Sequence, residues 1–262
     1  MNNLIFDSLE KLRKKKIMNP ELDLRIILKK SSKKNKDIFL SNINTDEINI
    51  KTFNNLLSKR LQYQPISKIL KIKHFWKNEF YVNNQVLDPR PESEIIIEEA
   101  LKIYKNKNQK LKILDIGTGS GCLSISLANE YKQSHITAID ISKQALKVAQ
   151  KNIHKFNLEK RIQLKLINME FIKNKFDLII SNPPYLSDND YNNCQTEIKK
   201  YEPKLALLGG KDGLKFYRIY SNILHKIMNK GSYFICEIGN QQLSQCIKIF
   251  EKSKLSLINT KK

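Results

Sequence analysis

The sequence predicts an α/β chain, an open parallel sheet with helices on both faces preceded by a small helical domain. Three observations predict it. In the first 70 residues apolar positions recur at three- and four-residue spacing, the period of amphipathic helices. From Lys110 onward short apolar runs alternate with helical patterns across connections of a few residues, the signature of parallel strands and their crossover helices. The first of those runs also opens into a glycine-rich turn that leads straight into a helix.

The elements follow in order. Leu4, Ile5, Leu9 and Leu12 mark one helix, and Leu22, Leu24, Ile27 and Leu28 a second. Thr45-Asp46-Glu47 reads as the capped start of a third, running through Phe53, Leu56 and Leu57. Residues 72–88 change period. Phe75, Phe80, Val82 and Val86, with turns expected at Lys77-Asn78 and Asn83-Asn84, predict a β-hairpin linker between a helical domain (1–71) and a larger domain (89–262). There the expected strands are Lys112–Ile116, His135–Asp140, Ile162–Ile167, Phe176–Ser181 and Ser232–Ile238. A helix passes through Leu123, Ile125, Leu127 and Ala128, and Ser142 caps another to about Phe156. Asp212 and Asn240 stand where the N-caps of two further helices are expected.

Composition excludes several classes. With 40% hydrophobic and 28% charged residues the chain is globular. No run approaches the ~18 apolar residues of a membrane span, and Met1–Lys16 lacks the apolar block of a signal peptide. Cys122, Cys194, Cys236 and Cys246 form no metal-ligand or disulfide pattern. A cytoplasmic, metal-free monomer is expected. The net charge of +21 comes from 41 Lys against only 6 Arg. Lys, Ile and Asn share A/T-rich codons, so genome composition accounts for this charge better than a phosphate-gripping face, which would favour the planar fork of Arg. Residues 1–85 are denser in charge, with 18 basic and 8 acidic residues, which leaves room for weak docking near RNA or the ribosome.

Two constellations carry chemistry. Asp115-Ile116-Gly117-Thr118-Gly119-Ser120-Gly121 follows a strand and opens a helix. Its glycines allow a tight turn with bare backbone for a ligand. Asp140 ends the next strand, where a carboxylate can accept both hydroxyls of a ribose. A nucleoside ligand is expected, and this turn alone does not separate a nicotinamide cofactor from S-adenosylmethionine. The second constellation does. The strand Phe176–Ser181 runs into Asn182-Pro183-Pro184-Tyr185. Paired prolines hold the local carbonyls in a fixed extended geometry, so the Asn182 carboxamide oxygen and the Pro183 carbonyl can each accept one N–H of a planar NH2 group. Tyr185 offers that group a flat face.

On these residues the chain resembles the class I S-adenosylmethionine-dependent methyltransferases that act on planar nitrogen, and among them the peptide chain release factor N5-glutamine methyltransferases. Further stretches carry the likeness, which runs from about residue 1 to 250: Gln64-Pro65, Val86-Leu87-Asp88-Pro89-Arg90-Pro91-Glu92-Ser93-Glu94 (similar to the family's PRPETE), Tyr201-Glu202-Pro203, Ala206–Leu214 and Glu237-Ile238-Gly239-Asn240-Gln241-Gln242.

The resemblance implies a Rossmann-like catalytic domain and S-adenosyl-L-methionine as cofactor. It implies a class 1 peptide chain release factor as partner and substrate, methylated on the glutamine of its GGQ motif. Asp115 and Gly117 to Gly121, including Thr118, Gly119 and Ser120, would hold the methionine part and Asp140 the ribose. Asn168 and Met169 would lie at the adenine. Asn182 would touch cofactor and substrate, with Asn182, Pro183 and Tyr185 catalytic and Asn182 through Tyr185, Pro184 included, holding the glutamine side chain. Arg90 and Glu94 would brace the site. The sequence departs from the family at Asn168, where an acidic residue is usual and weaker cofactor binding is therefore expected, and at Lys68 and Lys71, which replace an aromatic residue and a glycine. It also ends without the family's final strand, so one strand of seven is expected to be absent, leaving an open sheet edge. Two other substrates stay in view: a ribosomal-protein glutamine, and an adenine N6 or guanine N2 amino group of a nucleic acid.

Overall fold

The computed structural model describes residues 2–33, 47–253 and 255–261. The chain divides into two compact units, Met1–Lys71 with Thr196–Tyr201, and Ile72–Gln195 with Glu202–Lys262. The six residues Thr196–Tyr201 thus group with the helical unit rather than with the chain on either side of them.

The first unit holds α1 (Asn2–Lys14), α2 (Pro20–Ser31), α3 (Ile50–Leu61) and α4 (Ile66–Leu70). Pro20 opens α2, where its missing N–H costs nothing. Leu12, Leu24, Ile27, Leu28, Phe53, Leu56 and Leu57 form its core, each fully buried Leu or Phe contributing roughly 1.5–3 kcal/mol. Leu22 turns outward. The cap expected at Thr45 and Asp46 lies outside the described residues. α3 instead begins at Ile50, with the Asn49 side chain accepting from the Thr52 N–H at 3.0 Å. Arg60 is buried and donates to Asp23 at 2.6 Å and to Glu197 at 2.9 Å.

The second unit begins with the hairpin β1 (Ile72–Phe75) and β2 (Asn78–Tyr81), antiparallel with Phe75 opposite Asn78. Its turn is Trp76-Lys77, one residue earlier than expected. Trp76 takes a positive φ of 53°, held by its indole N–H to Glu130 at 3.0 Å. There follow α5 (Glu94–Ile103), β3 (Lys112–Ile116), α6 (Cys122–Glu130), β4 (His135–Asp140), α7 (Lys143–Lys155), β5 (Ile162–Leu166), β6 (Phe176–Ser181), α8 (Asp188–Asn192), α9 (Thr196–Tyr201, in the first unit), α10 (Lys215–Ile227), β7 (Met228–Cys236) and α11 (Leu243–Glu251). The strands form one parallel sheet in the order β5-β4-β3-β6-β7.

Alternation along the strands divides the core into two layers. Ile113, Ile136, Ala138, Leu178 and Ile180 face α5, α6 and the hairpin phenylalanines. Leu114, Ile116, Ile139 and Ile179 face α10 and α11. A strand buried on both faces reads as a continuous apolar run, which is why β3 and β6 stand out in the sequence.

Among the described residues the sheet has the five strands expected, and the residues described beyond Cys236 form α11 and no strand. Two other expectations are corrected. β7 starts at Met228 rather than Ser232, because Met228 already pairs with Phe176 of β6, before an irregularity after which pairing resumes at Tyr233 opposite Leu178. Asp212 and Asn240 do not cap helices. Leu214 precedes α10 and Gln242 precedes α11, and Asp212 instead accepts from the Leu214 N–H at 3.1 Å.

Candidate active site

β3 ends in the glycine-rich turn, and Gly117, Gly119 and Gly121 all take positive φ, at 75°, 55° and 81°. Side chains rarely adopt that region, so the turn needs glycine on backbone grounds alone. A Cβ at Gly117 would meet nothing within 4 Å, so this stretch of backbone is open to a ligand. The Gly117 and Thr118 N–H groups both donate to the Ile139 carbonyl, at 2.9 and 3.0 Å. Asp115 is fully buried. Its Oδ2 accepts from Thr118 Oγ1 at 2.7 Å and Ser124 Oγ at 2.6 Å, and its Oδ1 has no partner. Burial pushes its carboxyl up to about 6 against those hydrogen bonds. Asp140 accepts from the Gly119 N–H at 3.0 Å and the Ser142 N–H at 2.8 Å, and burial raises its carboxyl as well. Ser120 is buried and gives its carbonyl to Asn152 Nδ2.

β6 lies beside β3 and carries the Asn-Pro-Pro-Tyr loop to the same end of the sheet. Ser181 Oγ donates to the Ile116 carbonyl at 2.8 Å, joining the roots of the two loops. Beyond it, Asn182 Nδ2 donates to Ser93 Oγ at 2.6 Å, and Ser93 Oγ donates to Glu237 Oε2 at 2.5 Å. No described protein group donates to Asn182 Oδ1 or to the Pro183 carbonyl. Tyr185 is half-buried and hydrogen-bonds Glu237. Burial, reinforced by that carboxylate, pushes its hydroxyl up to about 12. Burial also raises Glu237, against the hydrogen bonds it receives from Ser93 and Tyr185.

The loop is held from behind by backbone. A Cβ at Gly209 would stand 2.7 Å from the Pro184 carbonyl oxygen, and one at Gly213 would overlap the Tyr185 carbonyl. Gln242 Nε2 donates to that same Tyr185 carbonyl at 3.0 Å, while its Oε1 accepts from the Gly239 N–H at 2.9 Å. Leu186 exchanges backbone hydrogen bonds with Leu207 and Gly209.

The structure thus brings Asp115, Gly117 to Gly121, Asp140 and Asn182 to Tyr185 to neighbouring strand ends. Asn168 and Met169 follow β5. Asn168 closes on its own turn: its Oδ1 accepts from the Glu170 N–H at 3.2 Å, and its Nδ2 donates to Glu170 Oε2 at 3.0 Å. Met169 is buried in the layer that contains Ile139. Arg90 and Glu94 do not pair with each other. Arg90 reaches Glu202 at 3.3 Å, and Glu94 accepts the Trp76 N–H at 2.7 Å. Sequence reasoning missed Ser93 and Glu237 as members of the site. Both lie in stretches it had singled out, but nothing in their spacing links residues 144 positions apart.

Comparison with known proteins agrees with this geometry. Residues 93–206 match the methyltransferase small domain family. A bifunctional methyltransferase of Rickettsia typhi is 37% identical over 262 residues, spanning 92% of this chain and 51% of that protein. The chain therefore covers about half the length of the curated relatives of that kind. The release factor glutamine methyltransferase of Mycoplasma mycoides is 39% identical over 249 residues, spanning 91% of this chain and 86% of the relative. That of Clostridium acetobutylicum is 32% identical, spanning 92% and 86%. The hMettl16 catalytic domain shares the fold at a TM-score of 0.50 and 18% identity, over 65% of this chain and 66% of that one.

Proposed function

This chain belongs to the release factor glutamine methyltransferase family, and on that premise we propose that it methylates the side-chain amide nitrogen of the GGQ glutamine in class 1 peptide chain release factors, with S-adenosyl-L-methionine as the donor. One observation carries the reading. The Asn182 carboxamide has its NH2 end engaged by Ser93 and its oxygen left free, beside a proline carbonyl that is also free, at the end of β6. Two adjacent unoccupied acceptors suit a primary amide.

The residues around the glycine turn fit the cofactor. Asp115 Oδ1 is a buried oxygen without a partner, which suits a cationic ammonium reached directly or through water. Gly117 is open. Asp140 uses one lone pair of each oxygen on backbone N–H groups and keeps the others for a ribose diol. We assign Gly117 to Gly121 to the methionine part, and Asn168 and Met169 to the edge of the adenine. When bound, this cofactor supplies an electrophilic methyl group on a sulfonium centre.

The chain's own residues do the rest. An amide nitrogen is a poor nucleophile because its lone pair is delocalised into the carbonyl. Asn182 Oδ1 and the Pro183 carbonyl accept both N–H bonds, raising the electron density on nitrogen, and Tyr185 gives the amide plane a wall. Orientation of this kind contributes on the order of several kcal/mol, and fixed dipoles add to it because they need no reorganisation. No base is needed beforehand, since an alkylated amide nitrogen is strongly acidic and releases its proton to water.

The test is intact-mass spectrometry of a release factor incubated with the protein and S-adenosylmethionine, followed by peptide mapping. The expected result is a gain of about 14 Da, one CH2, on the GGQ glutamine, abolished in Asn182→Ala. A release factor left unmodified while a ribosomal protein or RNA gains the methyl group would overturn the reading.

A further inference from the structure

A carboxamide is nearly symmetric in shape, so a loop that needs its oxygen forward must have something that distinguishes the two ends. In this structure the discrimination comes from a three-member chain. Glu237, as a carboxylate, only accepts. Ser93 has a single proton, and it goes to Glu237 at 2.5 Å. Ser93 Oγ therefore faces Asn182 with lone pairs alone and can take only the Nδ2 end, at 2.6 Å. The Tyr185 hydroxyl is the second donor to the same carboxylate. The groups come from separate rigid elements: Ser93 from the head of α5, Asn182 and Tyr185 from the end of β6, and Glu237 from the end of β7, where its N–H donates to the Ser181 carbonyl at 3.1 Å. Arg90 and Glu92 are the remaining charged groups acting on Glu237.

We propose that Glu237 is a positioning residue: through Ser93 it fixes the Asn182 carboxamide with Oδ1 toward the substrate amide, and through the Tyr185 hydroxyl it holds the ring beside it. The proposal rests on the amide-methylation reading above. Exchange of Glu237 for glutamine keeps the shape and reverses the polarity. The amide introduced by Glu237→Gln can donate to Ser93, whose proton is then free for Asn182 Oδ1, and the flipped carboxamide would meet a substrate NH2 donor to donor.

The experiment compares Ser93→Ala, Ser93→Thr and Glu237→Gln. Ser93→Thr keeps the hydroxyl and adds the methyl group of the PRPETE signature. Methyl transfer to a release factor is followed by initial rates, cofactor affinity by calorimetry, and the Asn182 side-chain NH2 by nitrogen-15 NMR, its signal assigned by its loss in Asn182→Ala. Ser93→Ala and Glu237→Gln should each lower kcat/KM about 100-fold, the scale of a misplaced reacting group. Together they should cost little more than either alone, because both break one chain. Cofactor affinity should stay within about threefold. Ser93→Thr should restore the rate and the hydrogen-bonded Asn182 NH2 signal, which Ser93→Ala loses. A Ser93→Ala enzyme with full kcat/KM, or a Ser93→Thr enzyme as impaired as Ser93→Ala, would overturn the proposal. If the parent enzyme modifies no release factor, the functional reading fails, while the NMR signal still decides whether Ser93 and Glu237 orient Asn182.

Discussion

The Tyr185 carbonyl accepts from Gln242 Nε2 at 3.0 Å, and Gly213 lies so close to this pair that a Cβ there would overlap both groups. The Asn-Pro-Pro-Tyr loop is thus clamped through its carbonyls, by groups drawn from the Ala206–Leu214 and Glu237–Gln242 stretches. Those stretches carry no catalytic side chain other than the positioning role inferred for Glu237. Their contribution is the fixed backbone of the loop.

A paired glycine experiment isolates that clamp. Gly213 and Gly231 have nearly the same φ, 75° and 76°, but a Cβ at Gly213 would overlap the Tyr185 carbonyl, whereas one at Gly231 would meet nothing within 4 Å. Gly231→Ala should cost only the backbone strain, about 1–2 kcal/mol. It should leave methyl transfer intact. Gly213→Ala should cost more, and should lower kcat as the loop is displaced. Urea unfolding with initial rates checks both, and equal losses in the two variants would refute the clamp.

Lys71 ends α4 in the left-handed region, at φ 59°, where the related family carries glycine. Its side chain is exposed, so Lys71→Gly should relieve strain without opening a cavity. A gain of about 0.5–1 kcal/mol is expected, the left-handed penalty less the entropy glycine adds to the unfolded chain. The urea midpoint should rise at unchanged m-value.

Glu130 gathers the hairpin onto α6, accepting from Trp76 Nε1 at 3.0 Å, Lys77 at 2.5 Å and Lys107 at 2.7 Å. Burial alone would raise its carboxyl, but the hydrogen bonds from Lys107, Lys77 and Trp76 outweigh it and hold the group down at about 2. A depressed carboxylate stabilises the fold above its unfolded value of about 4.5 and loses that contribution as pH falls through about 2. Glu130→Gln should therefore lower the melting temperature at pH 7, and the difference from the parent should vanish near pH 2.

Asp115 has the opposite sign. Its carboxyl stands at about 6 in the folded state against 3.8 unfolded, chiefly through burial. Its protonated form favours folding, a contribution present below pH 3.8 and lost as pH rises through about 6. Relative to Asp115→Asn, the parent should lose about 2 kcal/mol between pH 4 and pH 7. Unfolding curves of both proteins at the two pH values check the sign.

What the sequence determined by itself is local. The positive-φ turn after β3, the paired prolines after β6, the Ser142 cap of α7 and the apolar runs of the buried strands each follow from a few adjacent residues. Their backbone preferences and burial period act over one or two turns of chain. Where a contact from afar could intervene, the reading slipped. The hairpin turn moved one residue because Glu130 holds the Trp76 indole, and β7 began early because Phe176 of β6 was there to pair with Met228. The orientation of Asn182 was decided only by the tertiary structure. It depends on which end of a carboxamide meets an acceptor, and the acceptor, Ser93, owes its own polarity to Glu237 144 residues away along the chain.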